Sequence, residues 1–190
     1  MYNFLKLTSA ILLIFSCYAH SADKSPSGKL NDTLILETGD TATITKFINT
    51  ENVKVGIQGA SNNEITNNGN IQADGSGIVV DDNATIFNTG TISTRSNESS
   101  GVKIGGGTIT NEGMITATDI ETKGIFGTGG ALTVNNTGTI TAEEDGIYSK
   151  NSSITINNNI GGVISGQFYE ASRGIYVEDA SATTLSLIHI

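Results

Sequence analysis

Apolar and polar residues alternate along short stretches of this chain, and the stretches themselves recur at a nearly constant spacing. The clearest copies are ITNNGNI starting at Ile65, IFNTGTI at Ile86, ITNEGMI at Ile109, VNNTGTI at Val134 and the looser INNNIGGVI at Ile156. Their central glycines are 21, 23, 25 and 24 residues apart, and they are Gly69, Gly90, Gly113, Gly138 and Gly162. An internal repeat of this length is typical of a solenoid, in which each copy forms one structural unit.

A second marker, glycine followed by isoleucine or valine, recurs in step with the first. It occurs at Gly56, Gly77, Gly101, Gly124, Gly146 and Gly174. The short runs around both markers are rich in Thr, Val and Ile with a period of two, which predicts β-strands. Proline occurs once in the chain, so Asn and Gly are predicted to form the turns.

These features predict an all-β chain folded as a right-handed parallel β-helix, with three short strands in each coil of about 23 residues. In a parallel coil each residue lies on its counterpart in the next coil, so similar residues recur at a fixed step. An antiparallel sandwich has a comparable spacing of turns but no such requirement. The right hand follows the general rule for parallel crossovers. We expect adjacent coils to lie about 4.8 Å apart. One apolar column should then consist of Ile71, Ile92, Ile115, Ile140 and Ile164.

The asparagine two residues before each glycine should form a second column. Its members are Asn67, Asn88, Asn111 and Asn136. Stacked side-chain amides can donate to and accept from one another, so a structural ladder is the favoured interpretation. Asn and the following Gly also tolerate the left-handed backbone of a sharp corner. The alternative is an amide-rich stripe that binds sugar.

The first 22 residues are predicted to be a secretory signal peptide. Lys6 precedes an apolar run over residues 7–17, which is too short for a membrane anchor, and small residues follow. Cleavage is expected near Ala19, Ser21 and Ala22, directly after Ser21 or after Ala22. Lipidation of Cys17 is an alternative that the bulky residue two positions earlier disfavours.

Three further segments follow the signal peptide. Residues 23–33 are expected to be a flexible leader, and residues 34–184 an incomplete parallel β-helix. The repeat stops at Thr184, and the last six residues, LSLIHI at 185–190, lack Asn and Gly. They match one reading frame of a transposon adaptor used in sequencing libraries, so we expect them to be foreign and the natural protein to continue. A genuine apolar last strand is the alternative.

Composition restricts the chemistry that the chain can perform. The one cysteine and His20 lie in the predicted signal peptide, and His189 lies in the last six residues. Residues 23–184 therefore have no Ser-His-Asp triad, Cys-His pair or histidine metal site. The GGGTI segment at 105–109 lacks the nonapeptide that binds calcium in β-helices. We expect no catalytic residue, no cofactor and no metal.

Acidic clusters are the remaining route to catalysis. Asp81 and Asp82 form one, and Glu143, Glu144 and Asp145 form the other. Neighbouring residues on a strand point to opposite faces, so solvated turns are the favoured interpretation. The net charge is −9, and without Lys6 nine basic and nineteen acidic residues leave −10. This negative charge and the presence of only two arginines disfavour binding to nucleic acid.

The Asn-x-Gly-x-Ile and Gly-Ile repeats behind a bacterial-type signal resemble the passenger region of autotransporter proteins of Gram-negative bacteria. The resemblance covers residues 65–177 well. It implies export to the cell surface, outer membrane or medium through a C-terminal outer-membrane β-barrel in cis that this sequence lacks. It further implies a non-enzymatic, adhesin-like role toward a host or bacterial cell-surface protein or glycan, or self-association.

Two alternatives remain open. A haemagglutinin-like exoprotein of two-partner secretion uses a similar coil. A polysaccharide-degrading β-helix enzyme, or a tailspike-like protein, would need charged residues clustered on one lateral face across three adjacent coils. We expect this sequence to lack such a cluster at matching repeat positions.

Overall fold

The computed structural model describes residues 21–52, 54–150, 153–167, 172–179 and 182–187. Most of the predicted signal peptide, residues 1–20, and the last three residues therefore lie outside the described part. Within it, no helix has the length and apolar character needed to cross a membrane.

The described strands form three parallel sheets, which we name A, B and C. Sheet A contains β2 (Thr41–Ile44), β5 (Glu64–Asn67), β8 (Ala84–Asn88), β11 (Gly107–Asn111), β14 (Leu132–Asn136), β17 (Ile154–Asn158) and β20 (Thr183–Leu187). Sheet B contains β3 (Phe47–Asn49), β6 (Asn70–Ala73), β9 (Thr91–Thr94), β12 (Met114–Ala117), β15 (Thr139–Ala142) and β18 (Val163–Gly166). Sheet C contains β1 (Leu34–Ile35), β4 (Ile57–Gln58), β7 (Ile78–Val80), β10 (Ser100–Ile104), β13 (Lys123–Gly127), β16 (Asp145–Lys150) and β19 (Arg173–Glu178).

The chain visits the sheets in the order A, B, C in every coil, and each strand pairs with its counterpart one coil away. The parallel β-solenoid predicted from the repeat, with coils of about 23 residues, is thus confirmed. The register stacks Ile71, Ile92, Ile115, Ile140 and Ile164 in one column and adds Ile48 at its start.

Isoleucine columns from the three sheets meet in the interior. Ile86 of sheet A, Ile92 of sheet B and Ile78 of sheet C are all buried and represent these columns. Removing such a side chain from water contributes roughly 1.5–3 kcal/mol each. Because successive coils add an apolar residue at each of these positions, the core runs along the solenoid axis.

The Gly-Ile marker has a packing role at the start of the sheet C strands. A Cβ atom added to Gly77 would meet the Cγ2 of Ile92 and the carbonyl oxygen of Gly101. The same geometry recurs one coil later, where a Cβ on Gly101 would meet the Cγ2 of Ile115. Glycine therefore lets the isoleucines of sheet B pack directly on the backbone that leads into sheet C.

The backbone at the corner between sheets A and B corrects one expectation. None of the ladder asparagines or repeat glycines is among the described residues with positive φ. Glycine is required there because the coils approach closely: a Cβ on Gly90 would meet the carbonyl oxygen of Gly69, and one on Gly113 that of Gly90. Crowding between stacked corners, rather than left-handed backbone, selects glycine at these positions.

Residues 23–33 also differ from the expected flexible leader. Asp23 forms a parallel bridge with Thr41, and Leu30 forms one with Ile48. The amide of Asn49 donates to the carbonyl oxygen of Leu30 at 2.9 Å. The segment therefore forms a partial coil, because the outer edges of β2 and β3 have free backbone groups that it can pair.

The end of the repeat continues the stack. Strand β20 pairs with β17, which places Leu185 on Ile156 and Leu187 on Asn158. The change of sequence at residue 185 thus falls inside a strand that keeps the register. The foreign origin of residues 185–190 stays a prediction, and His189 lies outside the described residues.

Candidate functional surfaces of the solenoid

The predicted ladder asparagines lie in one interior column. The side-chain nitrogen of Asn67 donates to the side-chain oxygen of Asn88 at 2.7 Å, and Asn88 donates to Asn111 at 2.7 Å. The series continues from Asn111 to Asn136 at 2.8 Å and from Asn136 to Asn158 at 2.7 Å. The first four asparagines are completely buried and Asn158 nearly so, which leaves no amide of this column facing an outside ligand.

Each ladder amide also bonds to the backbone of the corner. Asn88 donates to the carbonyl oxygens of Gly90 and Met114, both at 3.3 Å. The side-chain oxygen of Asn67 accepts from the amide of Gly69 at 3.2 Å. Since a buried amide without partners is costly, these bonds explain why a polar residue is tolerated in the core.

Asn158 is a ladder member that the sequence did not reveal. In the looser fifth repeat it precedes Gly162 by four residues instead of two. The register nevertheless stacks it on Asn136. The corner absorbs the two extra residues with Gly161 at a φ of 86°.

Sheet C carries a column of ionic residues, which corrects the expectation that charges do not share repeat positions. The register aligns Lys123, Asp145 and Arg173 in three adjacent coils. Arg173 Nε lies 2.9 Å from Asp145 Oδ1, and Nη2 lies 3.3 Å from Oδ2. Lys123 Nζ lies 2.7 Å from Glu144 Oε2.

Asp145 is unusual among these groups because its side chain is only 1% exposed, whereas that of Arg173 is 39% exposed. Burial raises the pKa of the Asp145 carboxyl above its ordinary value, although the Arg173 guanidinium acts in the opposite direction. The carboxylate is occupied by the guanidinium, so a substrate could contact it only by displacing Arg173.

An aromatic ladder runs beside the ionic column. The rings of Phe126 and Tyr148 are 5.0 Å apart with an interplanar angle of 10°, and those of Tyr148 and Tyr176 are 5.3 Å apart at 7°. The Arg173 guanidinium carbon lies 3.4 Å from the Tyr176 ring centroid. Lys103 Nζ lies 5.6 Å from the centroid of Phe126. Since neighbouring rings and cations cover the ring faces, this ladder mainly joins strands.

The Tyr148 hydroxyl donates a hydrogen bond to the carboxylate of Glu178. This bond, followed by burial, raises the pKa of Tyr148 to about 12. The bond to Tyr148 likewise lowers the pKa of Glu178. Lys150 Nζ lies 3.4 Å from the same carboxylate.

A signal for both sheet C columns was present in the Gly-Ile marker. Written one residue longer at each end, three copies read KGIF, DGIY and RGIY from Lys123, Asp145 and Arg173. The first letter gives the ionic column and the last letter the aromatic column. Aligning these copies around the glycine would have found both.

The second acidic cluster, Asp81 and Asp82, is separate from the ionic and aromatic columns of sheet C. Asp81 and Asp82 follow β7 and are exposed. A Cβ added to Gly105 or Gly130 would lie 2.8 Å from Asp82 Oδ1, so this carboxylate borders a glycine-rich turn. In the described part of the chain, no group of three His, Cys, Asp or Glu side chains could hold a metal ion.

A polar cleft of about 310 Å³ lies near the N-terminal end of the solenoid. Its lining residues are Lys29, Asn31, Asn49, Glu51, Asn52 and Lys54. Lys54 Nζ is 2.8 Å from the carboxylate of Asp32, and Lys29 Nζ is 5.5 Å from the Phe47 ring centroid. The cleft therefore carries charges of both signs in solvent-exposed positions.

The outer faces of sheets A and B have a different character. Glu64 is the one charged residue in their described strands, although the chain has 19 acidic residues. One outer column of sheet A begins with Thr41 and the exposed Glu64 and continues with Thr85, Thr108, Thr133, Thr155 and Thr184. The outward positions of β9, β12, β15 and β18 are Thr91, Ser93, Met114, Thr116, Thr139, Thr141, Val163 and Ser165.

From β8 onward these side chains, together with the neighbouring outer column that contains Asn135 and Asn157, form a regular lattice, which we name the uncharged face. Its spacing is about 4.8 Å along the solenoid axis and about 6.6 Å between alternate residues of one strand. Some members bond to each other, as Asn157 does with Asn135 at 2.8 Å. Met114 and Val163 add exposed apolar surface within it.

Comparison with known proteins does not assign the chain to a family. No protein-family model matches it, and neither do curated proteins or solved structures. The class of protein that the geometry defines is a parallel β-solenoid.

Proposed function

We propose that this protein is an exported, non-enzymatic adhesive solenoid whose uncharged face contacts a cell-surface glycan. The observation that carries the proposal is that charge is limited to sheet C, the turns and the single strand residue Glu64, while the outward positions of sheets A and B from β8 onward present mainly hydroxyl and amide groups. The signal peptide predicted for residues 1–22 and the resemblance to autotransporter passengers support display outside the cell.

The lattice suits a partner with repeated polar groups. Thr and Asn side chains offer both donors and acceptors, which pair with sugar hydroxyls. Without the predicted signal peptide nine basic and nineteen acidic residues leave a net charge of −10, so the protein would repel acidic cell surfaces if charge covered every face. An uncharged face reduces that repulsion at the site of contact. The alternatives to a glycan as the partner of this face are a surface protein and a second copy of the chain.

A pair of double variants tests this role. Thr133→Lys with Thr155→Lys adds two charges to adjacent coils of the uncharged face, whereas Gln58→Lys with Val79→Lys adds two at outward positions of sheet C. We expect the first variant to lose at least about tenfold in binding to neutral glycans on an array, since desolvating a buried charge is costly, and the second to bind normally. Circular dichroism and thermal melting establish that both variants fold.

Binding that is unchanged in the sheet A variant, or lost equally in both, would contradict the proposal. Sedimentation of the wild-type chain distinguishes a second copy from a glycan, because self-association makes the apparent mass depend on concentration. Fractionation of the natural host tests export, and retention of the chain in the cytoplasm would contradict that part.

A polysaccharide-degrading enzyme is the second candidate. It is favoured by the alignment of Lys123, Asp145 and Arg173 on one lateral face across three coils. Against it stands the burial of the Asp145 carboxylate under Arg173. Cleavage of an acidic polysaccharide that Asp145→Asn abolishes, in a variant that still folds, would establish the enzyme.

A further inference from the structure

A buried carboxylate lies at the N-terminal end of the solenoid, directly before β2. Asp40 is only 2% exposed. Its Oδ1 accepts the Ala22 amide at 3.0 Å, and its Oδ2 accepts the Glu37 amide at 2.9 Å. Lys24 Nζ is 3.9 Å from Oδ2. The hydrogen bond from the Glu37 amide is the main cause that lowers the pKa of this carboxyl, and the bond from the Ala22 amide lowers it further. Burial acts in the opposite direction.

Ala22 is held through its amide, which donates to Asp40, and through its carbonyl oxygen. Its carbonyl oxygen accepts the Thr41 amide at 2.8 Å, and the Lys24 amide donates to the Thr41 carbonyl oxygen at 2.8 Å. Ser21, the preceding residue, is exposed. Regular pairing with β2 thus includes Ala22, whose nitrogen points at the buried carboxylate.

The sequence before this point matches the pattern of a processing signal. Ala19 and Ser21 are small residues at the third and first positions before the Ser21–Ala22 bond, as a signal peptidase requires. Cleavage one residue later would place His20 at the third position and would remove the Ala22 nitrogen from Asp40. Both considerations favour the Ser21–Ala22 bond.

We propose that the leader is removed between Ser21 and Ala22, and that the new α-ammonium group of Ala22 forms a buried ion pair with Asp40 that locks the N-terminal partial coil. This proposal rests on the export proposed above. An export signal peptidase hydrolyses the bond: water supplies the oxygen that makes Ser21 a carboxylate, and the Ala22 nitrogen takes up protons to become an ammonium. One amide donor to Asp40 thereby becomes a charged donor with additional hydrogens.

The charges around the pair allow this arrangement. Lys24 is the nearest cation and is partly exposed. The Asp23 carboxylate is occupied by Ser25, and the Glu37 and Glu64 side chains are exposed. Glu64 donates its backbone amide to the Asp40 carbonyl oxygen at 3.2 Å. A charge-assisted bond to a buried carboxylate is stronger than a neutral one, so processing should stabilise this end of the solenoid.

The test uses the chain starting at Ala22, prepared with a free α-amino group and with an acetylated one. We expect the free form to melt about 2–4 °C higher at pH 7. Asp40→Asn should abolish the difference, whereas Asp23→Asn, a change in the same segment outside the pair, should preserve it. The difference should also disappear at alkaline pH as the α-amino group, ordinarily with a pKa of about 7.7–8.0, loses its proton.

Equal melting of the free and acetylated forms at pH 7 would overturn the ion pair. Mass spectrometry of the exported natural protein tests the cleavage position separately, and a mature chain that begins at Asp23 would overturn that assignment. A chain that is never exported would instead refute the proposed function. The comparison of free and acetylated forms would still decide whether Asp40 holds the ammonium.

Discussion

The side-chain nitrogen of Asn88 lies 2.7 Å from the side-chain oxygen of Asn111, although 23 residues separate them in the chain. The bond forms because the two residues occupy the same position in successive coils. It is one step of a continuous buried series from Asn67 to Asn158. Each asparagine between these two ends has an amide partner in the coil before it and in the coil after it. The ladder therefore couples the stability of adjacent coils.

Breaking this ladder in its middle should destabilise the protein. Asn111→Ala removes the acceptor of Asn88 and the donor to Asn136. We expect the free energy of unfolding to fall by about 1–3 kcal/mol, since buried amides lose their partners. Asn68→Ala, at an exposed position one residue past the ladder, is the control and should change stability by less than about 0.5 kcal/mol. Chemical denaturation measures both, and equal effects would refute the role of the ladder.

Crowding at the corner predicts a large effect of a single methyl group. Gly113→Ala would place its Cβ against the carbonyl oxygen of Gly90, so the two coils must move apart. We expect a loss of about 1–3 kcal/mol of unfolding free energy, as for other overpacked sites. Gly28→Ala is the matched control, because no atom lies within 4 Å of its added Cβ. A Gly113→Ala protein as stable as wild type would contradict the packing explanation.

The aromatic ladder should be visible in an alkaline titration. Because the bond to Glu178 helps raise the pKa of Tyr148 to about 12, its phenol should ionise well after an ordinary tyrosine of pKa about 10. Ultraviolet absorbance of phenolate measures this, and Glu178→Gln should shift the late step to lower pH. The raised pKa stabilises the neutral folded form, so this contribution is lost as pH rises from about 10 through about 12.

Asp40 and Asp145 should affect the pH dependence of stability with opposite signs. The pKa of Asp40 is lowered by amide donors, so its stabilising contribution is present above the unfolded-state pKa of about 3.9 and lost as pH falls through the lower folded value. The pKa of Asp145 is raised by burial, so its ionised form costs stability, and acidification through the raised value relieves that cost.

Urea unfolding at several pH values can separate the two carboxyls. Relative to Asp40→Asn, the wild type should lose its advantage on acidification below about pH 4. Relative to Asp145→Asn, the wild type should gain stability as pH falls through the raised pKa of Asp145. If the stability difference between wild type and variant changed in the same direction with pH for both carboxyls, the opposite pKa shifts of Asp40 and Asp145 would be contradicted.

The repeated spacing of Asn and Gly was sufficient to predict the parallel solenoid, the isoleucine column and the alignment of Asn67 with Asn88. In a parallel stack, chemically similar residues occupy equivalent positions, so the sequence period and the structural period are the same. The repeat did not predict Asn158 as a ladder member, because two extra residues separate it from its glycine.

Only the tertiary structure showed how residues of unlike chemistry contact one another. Aligning the Gly-Ile copies places Lys123, Asp145 and Arg173 in one column, but it does not show that Arg173 covers a buried Asp145 carboxylate. The partial coil that contains Ala22 and Leu30 has no repeat motif either, and it pairs because the first coil exposes free strand edges. The sequence by itself determined the period, since that depends on like residues stacking. The burial of Asp40 and Asp145, and the crowding that requires glycine at the corners, depended on how the coils approach one another in three dimensions.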